Sequence, residues 1–240
     1  MRQDYSEEAL NYDQKRFEDR KGQFHARCDA EILRSLVKKS GAKFCLDVPV
    51  GSGRVLTYLE NEPVKIVGCD YTPSMLKIAK SRNQSNAIGL VHGDASRLPF
   101  PTDSFELIIC VNFFHLFPSH LRSSFVEEFK RILKPGGYFI CSFTNGWYGG
   151  GLNWIRHKAS KIPIFKTVVG DCGVYFLMPS EIAQLFPQWK VLAHRGNFLP
   201  LQRHISFLSQ KTEKFMIELT GHFPFNELCF THFFLLQSDK

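Results

Sequence analysis

Residues 6–20 and 25–38 read as two helices. In the second stretch Ala26, Ala30, Leu33 and Val37 share a face, and Gly41 follows as a stop. After Gly41 the period changes. Short apolar runs alternate with amphipathic segments, which predicts strands at 44–48, 64–69, 88–92, 105–111 and 138–143 with helices between them. Thr72 is placed to cap the helix after the second strand, with Pro73 in its first turn, where a missing N–H costs nothing. The helix after the fourth strand carries Leu121, Phe125, Phe129, Ile132 and Leu133 on one side, and Lys134-Pro135-Gly136-Gly137 is expected to end it and open the fifth strand. From Ser180 onward the pattern predicts a helix, a strand near 189–194, a helix through Leu219 and a last strand near 230–236.

Strands and helices alternating at these lengths pair in parallel through right-handed crossovers. The runs Leu107-Ile108-Ile109-Cys110-Val111 and Ile66-Val67-Gly68-Cys69 are apolar on both faces, as strands covered on both sides require. Residues 145–178, rich in Gly, Trp, Tyr and Lys, break the alternation and are expected to form an insertion over the active face. The resulting division is one domain: an N-terminal helical lid (1–42), a ligand-binding core (43–144), the insertion (145–178) and the C-terminal part of the sheet (179–240).

Length and composition suit this reading. A 240-residue chain with 44% hydrophobic and 22% charged residues can build a full core without disulfides. The first 27 residues mix acidic and basic side chains with no apolar run, so no secretory leader is read there. The most apolar stretch, 105–117, is interrupted by Glu106, Asn112 and His115 and is too short to span a bilayer; a cytoplasmic protein is expected. The seven cysteines include no CxxC pair, and no metal site is read. Cys45, Cys69, Cys110 and Cys141 each fall in a different strand, where a thiol serves as a small apolar filler. The net charge of +7 is dispersed, apart from Arg156, His157, Lys158, Lys161 and Lys166. Twenty-three phenylalanines suit core packing or an apolar pocket.

The chemistry begins at Leu46-Asp47-Val48-Pro49-Val50-Gly51-Ser52-Gly53-Arg54. Glycines sit where a strand must turn sharply into a helix, so the backbone can take positive φ and approach a ligand. Asp70, at the end of the second strand, is placed to accept both hydroxyls of a ribose at the switch point of the sheet. A dinucleotide loop wants a third small residue for helix packing, and here that position is Leu56, which argues against NAD.

Three further motifs follow in order: Gly93-Asp94-Ala95 with Leu98-Pro99-Phe100, then Asp103-Ser104-Phe105-Glu106-Leu107-Ile108, then Lys134-Pro135-Gly136-Gly137. With the glycine loop they closely resemble the class I S-adenosylmethionine-dependent methyltransferases, most of all the group containing the ubiquinone and menaquinone biosynthesis enzymes. The resemblance is strong over 43–144 and loose outside. It implies an α/β, Rossmann-like, seven-stranded and mostly parallel sheet with an antiparallel last strand and helices on both faces. It also implies S-adenosyl-L-methionine as cofactor. Residue by residue, it implies that Asp47, Pro49, Val50, Gly51 and Gly53 hold the methionine part. Asp70 would bind the ribose, with Tyr71 and Met75 against the adenine. Asp94 would accept from the adenine amino group, and the Ala95 N–H would donate to the ring. Asn112 would sit under the cofactor, and Tyr12 and Arg16 would close over it. Pro49 and Val50 depart from the group's frequent Gly and Cys, and proline removes one loop N–H.

His115, three residues beyond Asn112, is the expected general base by position. The acceptor is expected to be a small, apolar molecule. An RNA or tRNA acceptor is the alternative, resting on the basic cluster, and a non-catalytic cofactor-binding module is a third reading. Phe113, Phe114, Phe117, Trp147, Tyr148, Trp154 and Phe176 are expected to supply aromatic surface around the acceptor.

Overall fold

The computed structural model describes residues 20–82, 84–145, 167–169, 172–174, 177, 179–197, 215, 218–220, 222 and 228–240. Tyr12, Arg16, the 6–20 helix apart from Arg20, the Arg156 to Lys166 cluster, Trp147, Tyr148, Trp154 and Phe176 lie outside the described residues. The elements in chain order are α1 (Arg20–Ser40), β1 (Phe44–Asp47), α2 (Arg54–Tyr58), β2 (Lys65–Asp70), α3 (Pro73–Ser81), β3 (Ala87–His92) and β4 (Phe105–Cys110). After a 3-10 turn (Phe114–Leu116) come α4 (Ser119–Ile132), β5 (Leu133–Thr144), β6 (Thr167–Val169), β7 (Cys172–Val174), α5 (Pro179–Leu185), β8 (Lys190–Asn197) and β9 (Thr231–Gln237). Among the described residues no helix is long and apolar enough to cross a membrane.

Seven strands form one sheet in the order β3-β2-β1-β4-β5-β9-β8. β1 to β5 pair in parallel, and β9 lies antiparallel between β5 and β8. The strand order therefore reverses at β1, with β2 on one side and β4 on the other, the switch point where open α/β sheets bind ligands. Side chains alternate across each strand. Ile32, Leu33, Leu36 and Val37 of α1 cover Cys45, Leu107, Ile109 and Leu235 on one face. Phe125, Phe129 and Ile132 of α4, with Ile182 of α5, cover Leu46, Ile108, Cys110 and Leu236 on the other. The four strand cysteines are fully buried.

Two elements differ from the pattern-based expectation. Lys134-Pro135-Gly136-Gly137 lies within β5 and does not precede it: Leu133 already pairs with Phe105, and the register then shifts before Leu107 meets Tyr138. Gly136 takes φ 68° there. A Cβ on Gly137 would come within 2.8 Å of the Lys134 carbonyl, so the motif is a bulge that lets β5 bend. The β6–β7 pair, inside the predicted insertion, was not expected either. Three-residue strands are too short to leave a period in the sequence.

Candidate functional site

The site is built where β1 ends. The Val48–Pro49 peptide is cis. Val50 N–H donates to the Cys69 carbonyl (2.8 Å) and Gly53 N–H to the Val50 carbonyl (2.9 Å), which folds the loop back onto β2. Gly51 and Gly53 have φ of 52° and 83°. A Cβ on Gly51 would meet nothing, whereas one on Gly53 would press on the Ala79 backbone at 3.1 Å. Gly51 is thus the open cradle, and Gly53 the point where the loop packs on α3. Gly68, which sequence reading did not single out, is equally constrained. Its Cβ would lie 2.8 Å from Val50 Cγ2 and 2.7 Å from Leu90 Cδ2, so its bareness leaves Val50 its place in the loop.

Asp70 ties the site together. Its Oδ2 accepts from Gly51 N–H and its Oδ1 from Thr72 N–H, both at 2.8 Å. Burial pushes this carboxyl above its ordinary range, and backbone N–H donors from Thr72, Gly51 and Tyr71 pull it back. Thr72 makes no side-chain cap on α3; its backbone is held by Asp70 instead. Asp94 Oδ1 accepts from Ser96 N–H (3.0 Å) and Ser96 Oγ–H (2.8 Å), closing a tight turn after β3. Asn112 holds a left-handed φ of 55° at the end of β4, and its N–H donates to Ser142 Oγ at 3.0 Å.

These residues surround a cavity of about 330 Å³. Pro49, Val50, Gly51, Asp70, Tyr71, Met75, Asp94, Ala95 and Asn112, all expected at the cofactor, line it together. Arg54, Leu121, Ser124 and Phe125 line it as well and were not anticipated. Leu121 and Phe125 were legible only as core positions, because one apolar stripe of α4 serves both the core and the cavity wall.

Three expected residues sit elsewhere. Gly53 lies just outside the lining, against α3. Asp47 is fully buried behind the loop, and among the described residues neither of its oxygens accepts a hydrogen bond. Burial pushes its carboxyl far up, Asp70 adds to this, and Arg54 opposes it. His115 is buried on the 3-10 turn and does not line the cavity; with the turn's curvature, Phe113, Leu116 and Phe117 face the opening while Phe114 and His115 turn away. Phe114 packs edge-on against Phe129 and Phe186, at 6.4 and 6.1 Å between ring centroids.

The charge balance of the lining tests which ligand fits. Among the described lining residues, Asp70 and Asp94 outnumber the one cation, Arg54. A pyrophosphate would meet repulsion here. A ligand bearing a ribose diol and positive charge on its sulfonium and ammonium groups would not, and the open Gly51 cradle gives it room. S-adenosylmethionine has those features, and the residues present fit it.

Comparison with known proteins agrees. Residues 46–141 match the family described as "Methyltransferase domain". The phthiotriol/phenolphthiotriol dimycocerosates methyltransferase of Mycobacterium tuberculosis is 37% identical over 101 residues, 41% of this chain and 37% of its own length. The demethylmenaquinone methyltransferase of Deinococcus radiodurans is 31% identical over 157 residues, 62% of this chain and 63% of that one. The match thus spans less than two thirds of either relative. The magnesium protoporphyrin IX methyltransferase of Synechocystis, solved with bound SAH, superposes with a TM-score of 0.66 at 11% identity, covering 97% of this chain and 95% of that one; at that identity the likeness is one of fold.

Proposed function

We propose that the protein, whose residues 46–141 match the methyltransferase-domain family, transfers a methyl group from S-adenosylmethionine to a small, apolar acceptor. The observation that carries the reading is the cavity itself. Carboxylates and the glycine cradle form one wall, and Phe113, Leu116, Phe117, Leu121 and Phe125 form the other.

The sulfonium supplies an already electrophilic methyl group. The protein's part is to bind, orient and exclude water. Gly51 lets the main chain approach the methionine portion. Asp70 retains lone pairs for the ribose hydroxyls while its other lone pairs hold the loop. Tyr71, Met75 and the Asp94–Ser96 turn enclose the ring, with Ala95 N–H as a donor toward it. Asn112, fixed by Ser142, closes the floor. Tyr12 and Arg16 belong to the same proposal as closing residues. Alignment of this kind can be worth roughly 7–11 kcal/mol, against about 10²–10⁴-fold for a general base. No base role is assigned to His115, whose ring is turned from the cavity. The names of the relatives above, which point to phthiotriol/phenolphthiotriol dimycocerosates and demethylmenaquinone as acceptors, motivate the apolar class.

Calorimetry with S-adenosylmethionine, S-adenosylhomocysteine and NADH tests the cofactor. One site per chain for the first two is expected; binding of NADH alone would overturn the proposal. Transfer of a radiolabelled methyl group into solvent-extractable quinols and lipids then tests the acceptor. Label recovered in RNA instead, with a steep salt dependence, would favour the nucleic-acid reading.

A further inference from the structure

Arg122, on α4, is 4% exposed and is the buried basic side chain among the described Lys and Arg residues. Taking a guanidinium out of water is costly unless its donors are used, and its placement shows where they go. Its Nε donates to the Phe114 carbonyl (3.1 Å) and the Phe117 carbonyl (3.0 Å), the first residue of the 3-10 turn and the residue just after it. Its Nη1 lies 3.9 Å from Glu181 Oε1 on α5. Burial lowers the guanidinium's proton affinity and Glu181 restores part of it.

Core packing does not require this charge. Phe125, Val126, Phe129, Ile182 and Phe186 already join α4 and α5 through apolar contact. What Arg122 does that a leucine could not is hold two backbone carbonyls on either side of Leu116. That turn supplies Leu116 and Phe117 to the cavity wall, in the same cavity as Ala95 and Ser96. We propose that Arg122 is a positioning residue for the apolar wall that Leu116 and Phe117 give the cofactor cavity, with Glu181 holding the guanidinium in register from α5. The inference rests on the cofactor reading given above.

The test uses the full-length chain and the variants R122M, R122K and E181Q, with I182A as a core control on α5. S-adenosylhomocysteine and methylthioadenosine, which lacks the amino-acid portion, are titrated calorimetrically. R122M should weaken both by the same factor, about tenfold or more, as expected when hydrogen bonds from a charged group are lost. R122K should recover part of the loss, and I182A should lower Tm without a comparable change in affinity. An R122M protein that binds both ligands like the wild type, or loses no more than I182A at the same Tm, overturns the proposal. If R122M does not fold, R122K and E181Q are judged by the same criterion. Hydrogen exchange of the ligand-free protein gives an independent readout. The Leu116 and Phe117 amides, bonded to the Phe113 and Phe114 carbonyls, should exchange faster in R122K, and unchanged rates there count against the proposal. Wild-type protein that binds neither ligand would defeat the cofactor reading, while the exchange rates would still decide whether Arg122 holds the turn.

Discussion

Two glycines of the loop region have different physical reasons for lacking a side chain, and substitution separates them. Gly51 is left-handed and opens into the cavity, so G51A costs about 1–2 kcal/mol of backbone strain and places a methyl group where ligand should lie. G51A should keep the fold and lose most cofactor affinity. Gly68 is walled in by Val50 and Leu90, so G68A should destabilise the whole protein by about 1–3 kcal/mol through overpacking. Thermal melts with and without S-adenosylhomocysteine distinguish the two; equal effects on stability and binding would contradict this assignment. Asp70 combines both roles. D70A removes the ribose acceptor and also strips the partners from Gly51 and Thr72 N–H, so affinity should fall by about 1.5–3 kcal/mol per lost bond with some loss of Tm. D70N keeps an oxygen for one of these donors and should melt closer to wild type while still binding weakly. Unchanged calorimetric affinity in both would place the ribose elsewhere.

Neighbouring strands β8 and β9 carry a pair of imidazoles that makes part of the sheet pH-sensitive. His232 Nε2 lies 3.1 Å from the Cys229 carbonyl, which can only accept, so this nitrogen carries the proton. His232 Nδ1 then accepts from His194 Nε2–H at 2.7 Å. The His194 ring stacks on Phe234 at 4.2 Å. Burial lowers both histidines from 6.5 to about 4. A depressed histidine stabilises the fold fully above its unfolded value, and that contribution is lost as pH falls from about 6.5 toward about 4. Asp29 has the opposite sign: burial raises it from 3.8 to about 6, so the fold gains stability from it as pH falls through that window. Denaturant midpoints between pH 7 and 4.5 should therefore drop, less steeply in H194Q/H232Q and more steeply in D29N. Parallel curves for all three proteins would show that these groups are not linked to folding. In α4 the corresponding prediction is steric. F129A empties a fully buried site between Phe114 and Phe139 and should cost about 3–5 kcal/mol in a denaturant melt.

Across the molecule, the residues proposed to hold the cofactor come from the ends of β1 to β4, and α1 is fastened to the edge strand β8 and to α2. Asn197 Nδ2 at the end of β8 donates to Asp29 Oδ1 at 2.6 Å, and Lys39 Nζ donates to the Leu192 carbonyl at 2.7 Å. Arg34 Nε reaches the Tyr58 carbonyl of α2 at 2.8 Å. α1 is thereby held beside the glycine loop, its Leu33 and Leu36 in one core cluster with Val50 and Val55. The described walls of the cavity run from Val48 to Phe125. Cofactor binding should accordingly survive removal of residues 147–170, whereas turnover, if that segment covers the acceptor, should be abolished. Calorimetry and methyl-transfer assays on the deletion decide this. A folded deletion that no longer binds S-adenosylhomocysteine would assign the segment to the cofactor site.

What was legible beforehand is what short-range chemistry dictates. Alternation of apolar runs with amphipathic segments located β1 to β5, because a doubly covered strand has no polar face to offer. Gly51 and Asp70 stood out because a sharp strand-to-helix turn and a strand end restrict residue type locally, and Asp94 and Asn112 only through the resemblance of the surrounding motifs to a known family. The tertiary structure alone decided the rest. Phe113 and Phe114 are adjacent and chemically identical, yet one borders the cavity and the other is core, since a 3-10 turn points successive side chains in different directions. Asp47 and His115 carry the chemistry of a site but face away from the opening, and their burial follows from neighbours distant in the chain. Arg122 reads as an ordinary polar position on a helix. Its role exists only because folding brings the carbonyls of one turn and the carboxylate of Glu181, 59 residues further on, around a single guanidinium.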